Sequence, residues 1–153
     1  MQQIQTAYCI QGTTHHLVAS ALRMITNCVE RPELMDVWHD ATTWRNLPAH
    51  PHQPIATSYH CAPAHNGWVI VYPNVMHTVP FAAALSRQTR HITVGITNQR
   101  REAWDRGHPA LLPIDTPSDL LDARYFCEYR LPPVLDWAHW IHLWHPRWTR
   151  REV

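Results

Sequence analysis

The chain contains no lysine; all 13 of its basic residues are arginine. That absence excludes chemistry, because a phosphate-loop lysine, a Schiff-base or pyridoxal-phosphate lysine and a lysine general base are all impossible. Glycine is scarce as well, with four in 153 residues. No Gly-rich phosphate loop, no G-x-S-x-G nucleophile turn and no H-E-x-x-H metal helix occurs. Charge of either sign is low, and the formal net charge of +1 provides no global field to steer the protein to nucleic acid or anionic lipid. No apolar run approaches the ~20 residues of a membrane-spanning helix. The opening residues, Met1-Gln2-Gln3-Ile4-Gln5-Thr6, lack a basic stretch followed by an apolar one, so no secretory signal is read. The four cysteines, Cys9, Cys28, Cys61 and Cys127, never form C-x-x-C. They fit neither a disulfide scaffold nor a zinc ribbon, and the expectation is a cytoplasmic protein with reduced thiols.

What is present suits one globular domain spanning residues 1–153. A hydrophobic fraction of 45% supports a core, and a charged fraction of 16% is too low for a disordered chain. Thirteen histidines stand out. Exposed, they would charge together near pH 6.5; buried, they would resist protonation and folding would weaken in acid.

Along the chain, residues 4–10 read as a first strand ending at Gln11-Gly12. Thr13 or Thr14 caps a helix whose stripe is Leu17, Val18, Ala21, Leu22 and Ile25, and Asn27 is its expected stop. A second helix is expected from Pro32, burying Leu34, Val37, Trp38 and Ala41. The proline-rich stretch 47–54 forbids regular structure. Residues 55–61 and 68–72 read as strands joined through the turn signal Asn66-Gly67, the second apolar throughout and therefore central. A short helix carrying Phe81, Ala84 and Leu85 and a strand over 91–96 follow.

This order resembles the ferredoxin-like βαββαβ arrangement: an α+β fold, mostly antiparallel sheet, with helices packed on one face. The resemblance carries no functional residue with it. Beyond Ile96, residues 99–106 read as a charged loop or helical turn ending at Gly107. Thr116-Pro117-Ser118-Asp119 has capping-box spacing and predicts a helix over 117–123, with a last strand over 125–131. A Trp-rich C-terminal helix is expected over 134–145, between Pro133 and Pro146.

That terminal segment supplies most of the candidates. At 100° per residue, Trp137, Trp140 and Trp144 fall on one side of a helix and His139, His142 and His145 on another. With Trp148, the tryptophans either dock the helix on its own sheet or present an aromatic surface to a partner. Histidines three apart can share a metal ion, so His139 and His142, with His60 or His65 from the strand region and Asp136 nearby, form a candidate metal set. A membrane-surface role would place tryptophans at the interface and Arg147, Arg150 and Arg151 on lipid phosphates. His50, His52, His60, Cys61 and His65 form a second histidine-rich region, but strand neighbours such as His60 and Cys61 point to opposite faces. Arg100, Arg101 and Arg106 around Trp104 resemble a small nucleic-acid patch, largely offset by Glu102 and Asp105. Asp115, Asp119 and Asp122 are explained by helix capping.

The function expected from these residues is non-catalytic: a small bacterial-type accessory or regulatory module binding another protein or a second copy of itself as a homo-oligomer, with no cofactor. The alternatives are a histidine-based, metal-assisted hydrolase using His139, His142 and His60 or His65, and a weak nucleic-acid binder using Arg100, Arg101 and Trp104.

Overall fold

The computed structural model describes residues 6–30, 58–73, 81–97, 100–117 and 139–144. The fold begins with β1 (Thr6–Gln11), where every second side chain points the same way and both sets are buried. Helix α1 (His15–Thr26) follows. The Thr14 hydroxyl accepts a hydrogen bond from the Leu17 amide at 3.3 Å and supplies the N-cap. Asn27, at φ 60°, ends the helix in the left-handed conformation, its amide donating to the Arg23 carbonyl. The buried stripe is Val18, Ala19, Ala21, Leu22 and Thr26.

The remaining elements are β2 (Val29–Glu30), β3 (Ser58–Cys61), β4 (Trp68–Pro73), α2 (Phe81–Thr89), β5 (Thr93–Thr97), β6 (Arg101–Asp105), β7 (His108–Ala110) and β8 (Ile141–Trp144). The eight strands among the described residues join one antiparallel sheet in the order β2-β8-β3-β4-β1-β5-β6-β7. Two tight turns set the registers. Asn66 and Gly67 both have positive φ between β3 and β4, and Arg106 and Gly107 do the same between β6 and β7. That twist matches the strands flanking a two-residue hairpin loop. At Gly107 a side chain would also meet the Arg87 guanidinium, which lies 2.8 Å from the position a Cβ would take.

Alternation divides the sheet residues between two buried faces. Tyr8, Ile10, Tyr59, Cys61, Val69, Val71, Ile141 and Leu143 share a core with Val18, Leu22, Phe81 and Leu85 of the helices. The other face carries Ala7, Cys9, His60, Ile70, Tyr72, Val94, Ala103, His142 and Trp144, all buried as well. Burial on both sides explains the unbroken apolar run of Trp68–Tyr72 in a strand near the centre of the sheet.

These observations correct the expected fold. The chain is not the ferredoxin-like βαββαβ domain with a Trp-rich C-terminal helix; it is mostly an eight-stranded antiparallel sheet, with two helices among the described residues. Residues 101–105, expected as loop or helical turn, form β6, a strand close enough to the sheet edge to carry charge: of its five residues only Ala103 is buried. Residues 141–144, expected as helix, form β8, paired with β3 on one side and β2 on the other. Four residues satisfy a helical stripe and a strand alternation almost equally well, and pairing with two strands decides for the strand. The helix expected from Pro32, the proline-rich stretch 47–54, the helix over 117–123 beyond its first residue and the strand over 125–131 lie outside the described residues.

Candidate functional site

The most unusual chemistry in the sheet is a pair of histidines facing each other across β3 and β8. His60 and His142 are register partners, 82 residues apart in sequence. Their Nδ1 atoms lie 2.6 Å apart, and the rings meet edge to face at a centroid distance of 4.7 Å. Relative exposures of 0% and 2% place both inside the sheet. Trp144 stands edge-on to His60 at 5.4 Å, and Tyr72 stacks with Trp140 at 6.1 Å. The pair therefore sits in an aromatic enclosure.

The geometry dictates protonation. One Nδ1 carries the shared hydrogen and the other accepts it; with both rings neutral, the donor ring has an unprotonated Nε2 and the acceptor ring carries a hydrogen on Nε2. Both rings can be neutral in this arrangement. Both cannot be charged, because two Nδ1–H groups would then point at each other. Burial, and next the neighbouring His142, hold the His60 ring well below the usual histidine range.

Of the four histidines proposed as metal ligands, the fold brings two together. A metal between His60 and His142 would have to displace the hydrogen bond they make to each other. No group of three or more His, Cys, Asp or Glu side chains placed to hold a metal occurs among the described residues. His65 sits half-buried at the β3–β4 turn, its Nε2 3.2 Å from the Asn66 amide nitrogen. His139 is exposed, and its carbonyl accepts from the His15 ring at 3.0 Å. His15 itself is held low, by burial first and then by His16.

The tryptophan stripe also changes character. Trp140 and Trp144 lie on the His142 side of a strand, buried at 4% and 0% exposure, where a helix would have set them apart from it. They are sheet core and do not present an aromatic surface. Trp137 and Trp148, with Asp136, His145, Arg147, Arg150 and Arg151, lie outside the described residues, as do His50 and His52.

The arginine patch is split by its own strand. Arg101 is exposed on one face of β6, while Trp104 points to the other and packs against the core. Arg100 pairs with Glu102 at 3.1 Å and Arg106 approaches Asp105 at 3.8 Å, so each of these two arginines has a carboxylate beside it. Trp104 is therefore no open platform for a base.

The described thiols are held in the protonated form. Cys9, Cys28 and Cys61 are free and buried. Burial pushes Cys9 up to about 12 and Cys28 up to about 11, and raises Cys61 further still.

A second feature had no signal in any motif. Directly after β7, Leu111, Leu112 and Ile114 project into solvent, Leu111 at 92% and Ile114 at 106% relative exposure. Leu17 and Met24 are likewise exposed on the outer side of α1. Asp115 anchors the end of this segment by accepting from the Trp68 indole N–H at 3.3 Å. Among the described residues no helix is long and apolar enough to cross a membrane. Compared with protein-family models, with curated proteins and with solved structures, the chain has no significant match.

Proposed function

We propose that this chain is a non-catalytic binding module that associates with another copy of itself through the apolar segment following β7. The observation that carries the reading is the exposure of Leu111, Leu112 and Ile114 beside an edge strand. Large apolar side chains clustered in solvent mark association surfaces, whereas isolated ones are ordinary. A net charge of +1 opposes self-association only weakly. Pro109 within β7 removes an amide from that edge, which favours contact through side chains over strand addition.

The inaccessible histidine pair and the raised thiols support a binding role over a catalytic one. A general base must reach the proton it removes, and neither ring of the pair reaches the surface.

Native mass spectrometry and light scattering across micromolar concentrations test the reading. The wild-type chain should form a discrete oligomer, and Leu111→Asp with Ile114→Asp should return it to monomer with its fold unchanged by circular dichroism. A wild-type chain that stays monomeric throughout, or an oligomer indifferent to both substitutions, contradicts it.

A further inference from the structure

We infer, on the self-association reading above, that Asp115 is the positioning residue of the association segment. Its carboxylate bridges β1 and β4 and holds Leu111, Leu112 and Ile114 outward as a preformed contact surface for the second copy.

The bridge is built on a cross-strand pair. Gln11 of β1 and Trp68 of β4 are register partners, directly opposite each other at one end of those strands. Asp115 reaches both. Its Oδ2 accepts from the Trp68 indole N–H at 3.3 Å, and its Oδ1 accepts from the Gln11 amide nitrogen at 3.5 Å. A carboxylate suits this position because it offers an acceptor oxygen to each strand. Backbone hydrogen bonds fix the platform beneath it: the Gln11 amide donates to the Ile92 carbonyl and the Gly12 amide to the Gly67 carbonyl, both at 2.9 Å. Trp68 is buried, so its indole cannot swing out to follow a moving carboxylate.

The segment itself is constrained along its length. One end continues β7, whose residues His108–Ala110 pair with β6. β6 and β5 lie between β7 and β1, so residues 111–115 lead from the sheet edge back toward its middle. Pro109, Pro113 and Pro117 fix φ at three positions and steer Leu112 and Thr116, which precede two of them, away from helical geometry. Thr116 closes a turn: its amide donates to the Pro113 carbonyl at 3.2 Å and its hydroxyl to the same oxygen at 2.6 Å. Within that frame Leu111, Leu112 and Ile114 stand in solvent.

Order before binding is what the bridge contributes. On an unconstrained loop these three side chains would sample many positions, and each residue would have to be fixed when the second copy arrived. Fixing the backbone of a single residue weakens binding by about tenfold. A segment already held in the unbound chain avoids that loss.

Analytical ultracentrifugation of the full chain across micromolar concentrations tests the inference, with nitrogen-15 relaxation as a second readout. Asp115→Ala should raise the dissociation constant of the oligomer by about tenfold or more. In the same variant the order parameters of the Leu111, Leu112 and Ile114 amides should fall below about 0.6. Asp115→Asn keeps an acceptor for the indole, and its amide can donate to a turned Gln11 side chain, so it should retain most of the association. Val18→Ala weakens the core on the helix side of the sheet and should leave the dissociation constant unchanged. A wild-type oligomer indifferent to Asp115→Ala overturns the inference and leaves self-association standing. So does a loss as large in Asp115→Asn, which would place the effect in the charge, or as large in Val18→Ala, which would make it general destabilisation. A wild-type chain that stays monomeric removes the self-association reading and this role for Asp115 together.

Discussion

The middle of the sheet and its β3–β8 seam are equally buried and differently built. Where β1 meets β4, the paired side chains are Tyr8 with Val71, Cys9 with Ile70 and Ile10 with Val69. Where β3 meets β8, one face pairs Tyr59 with Leu143 and Cys61 with Ile141, but the other sets His60 against His142. Burial alone would rank the two regions alike. What separates them is that one pairs side chains that carry no charge near neutral pH, and the other sets two buried imidazoles against each other, of which His60 is held well below the usual histidine range.

Truncating a large seam residue gives the largest effect that challenges this contrast. Trp144→Ala should lower unfolding stability by about 3–5 kcal/mol in urea denaturation. Ile10→Ala, at the centre, should cost about 2–5 kcal/mol, by the same amount at pH 7.5 and at pH 5.5. If the Ile10→Ala loss itself grew with acidity, the centre of the sheet would be as sensitive to pH as the seam.

Acid alone comes next. The buried His60, held neutral in the fold, should remove up to about 1.4 kcal/mol of stability per pH unit below 6.5, read as exchange protection of β3 and β8. A smaller step, independent of both regions, is Thr14→Ala. It removes the hydroxyl that caps α1 and should cost about 1 kcal/mol at any pH between 5 and 8. Smallest is Arg100→Ala, which deletes an exposed ion pair with Glu102 and should change stability by no more than about 1 kcal/mol, less in high salt.

The parts of the fold that were legible in the sequence are those decided by local chemistry. Thr14 and Asn27 bracket α1 because a hydroxyl satisfies a free amide and an asparagine tolerates the left-handed turn. Asn66-Gly67 turns β3 into β4 for a comparable reason, and the apolar run at Trp68 could only be a strand buried on both faces. β6 was hidden because its charged sequence resembles a loop, and only its place near the sheet edge makes Arg101 and Glu102 tolerable within a strand. Arg106-Gly107, the turn after it, carries a weaker signal than Asn-Gly.

The candidate site was half legible. His60 and His142 both stand out as ligand candidates in one set, but His142 is expected on a helix, and His139 and His65 of that set do not join the pair in a group of three. In Trp140-Ile141-His142-Leu143-Trp144 the aliphatic and aromatic residues alternate, which is a strand signal, yet the intervals between tryptophans fit a helix too. Nothing local says that residue 142 will lie beside residue 60; that follows from the order of strands in the sheet. The exposed Leu111, Leu112 and Ile114 are invisible for the opposite reason, since apolar residues in sequence are ordinarily read as core.

The most direct test of the central claim is a side-chain nitrogen NMR titration of the histidines from pH 8 to pH 5. The structure predicts that the His60 ring stays neutral at pH 6 and shares one Nδ1 hydrogen with His142. A scalar coupling across their hydrogen bond should be detectable. If the His60 ring instead charges with an ordinary midpoint near 6.5 while β3 and β8 stay protected, burial does not hold that imidazole neutral, and the contrast between the seam and the middle of the sheet fails.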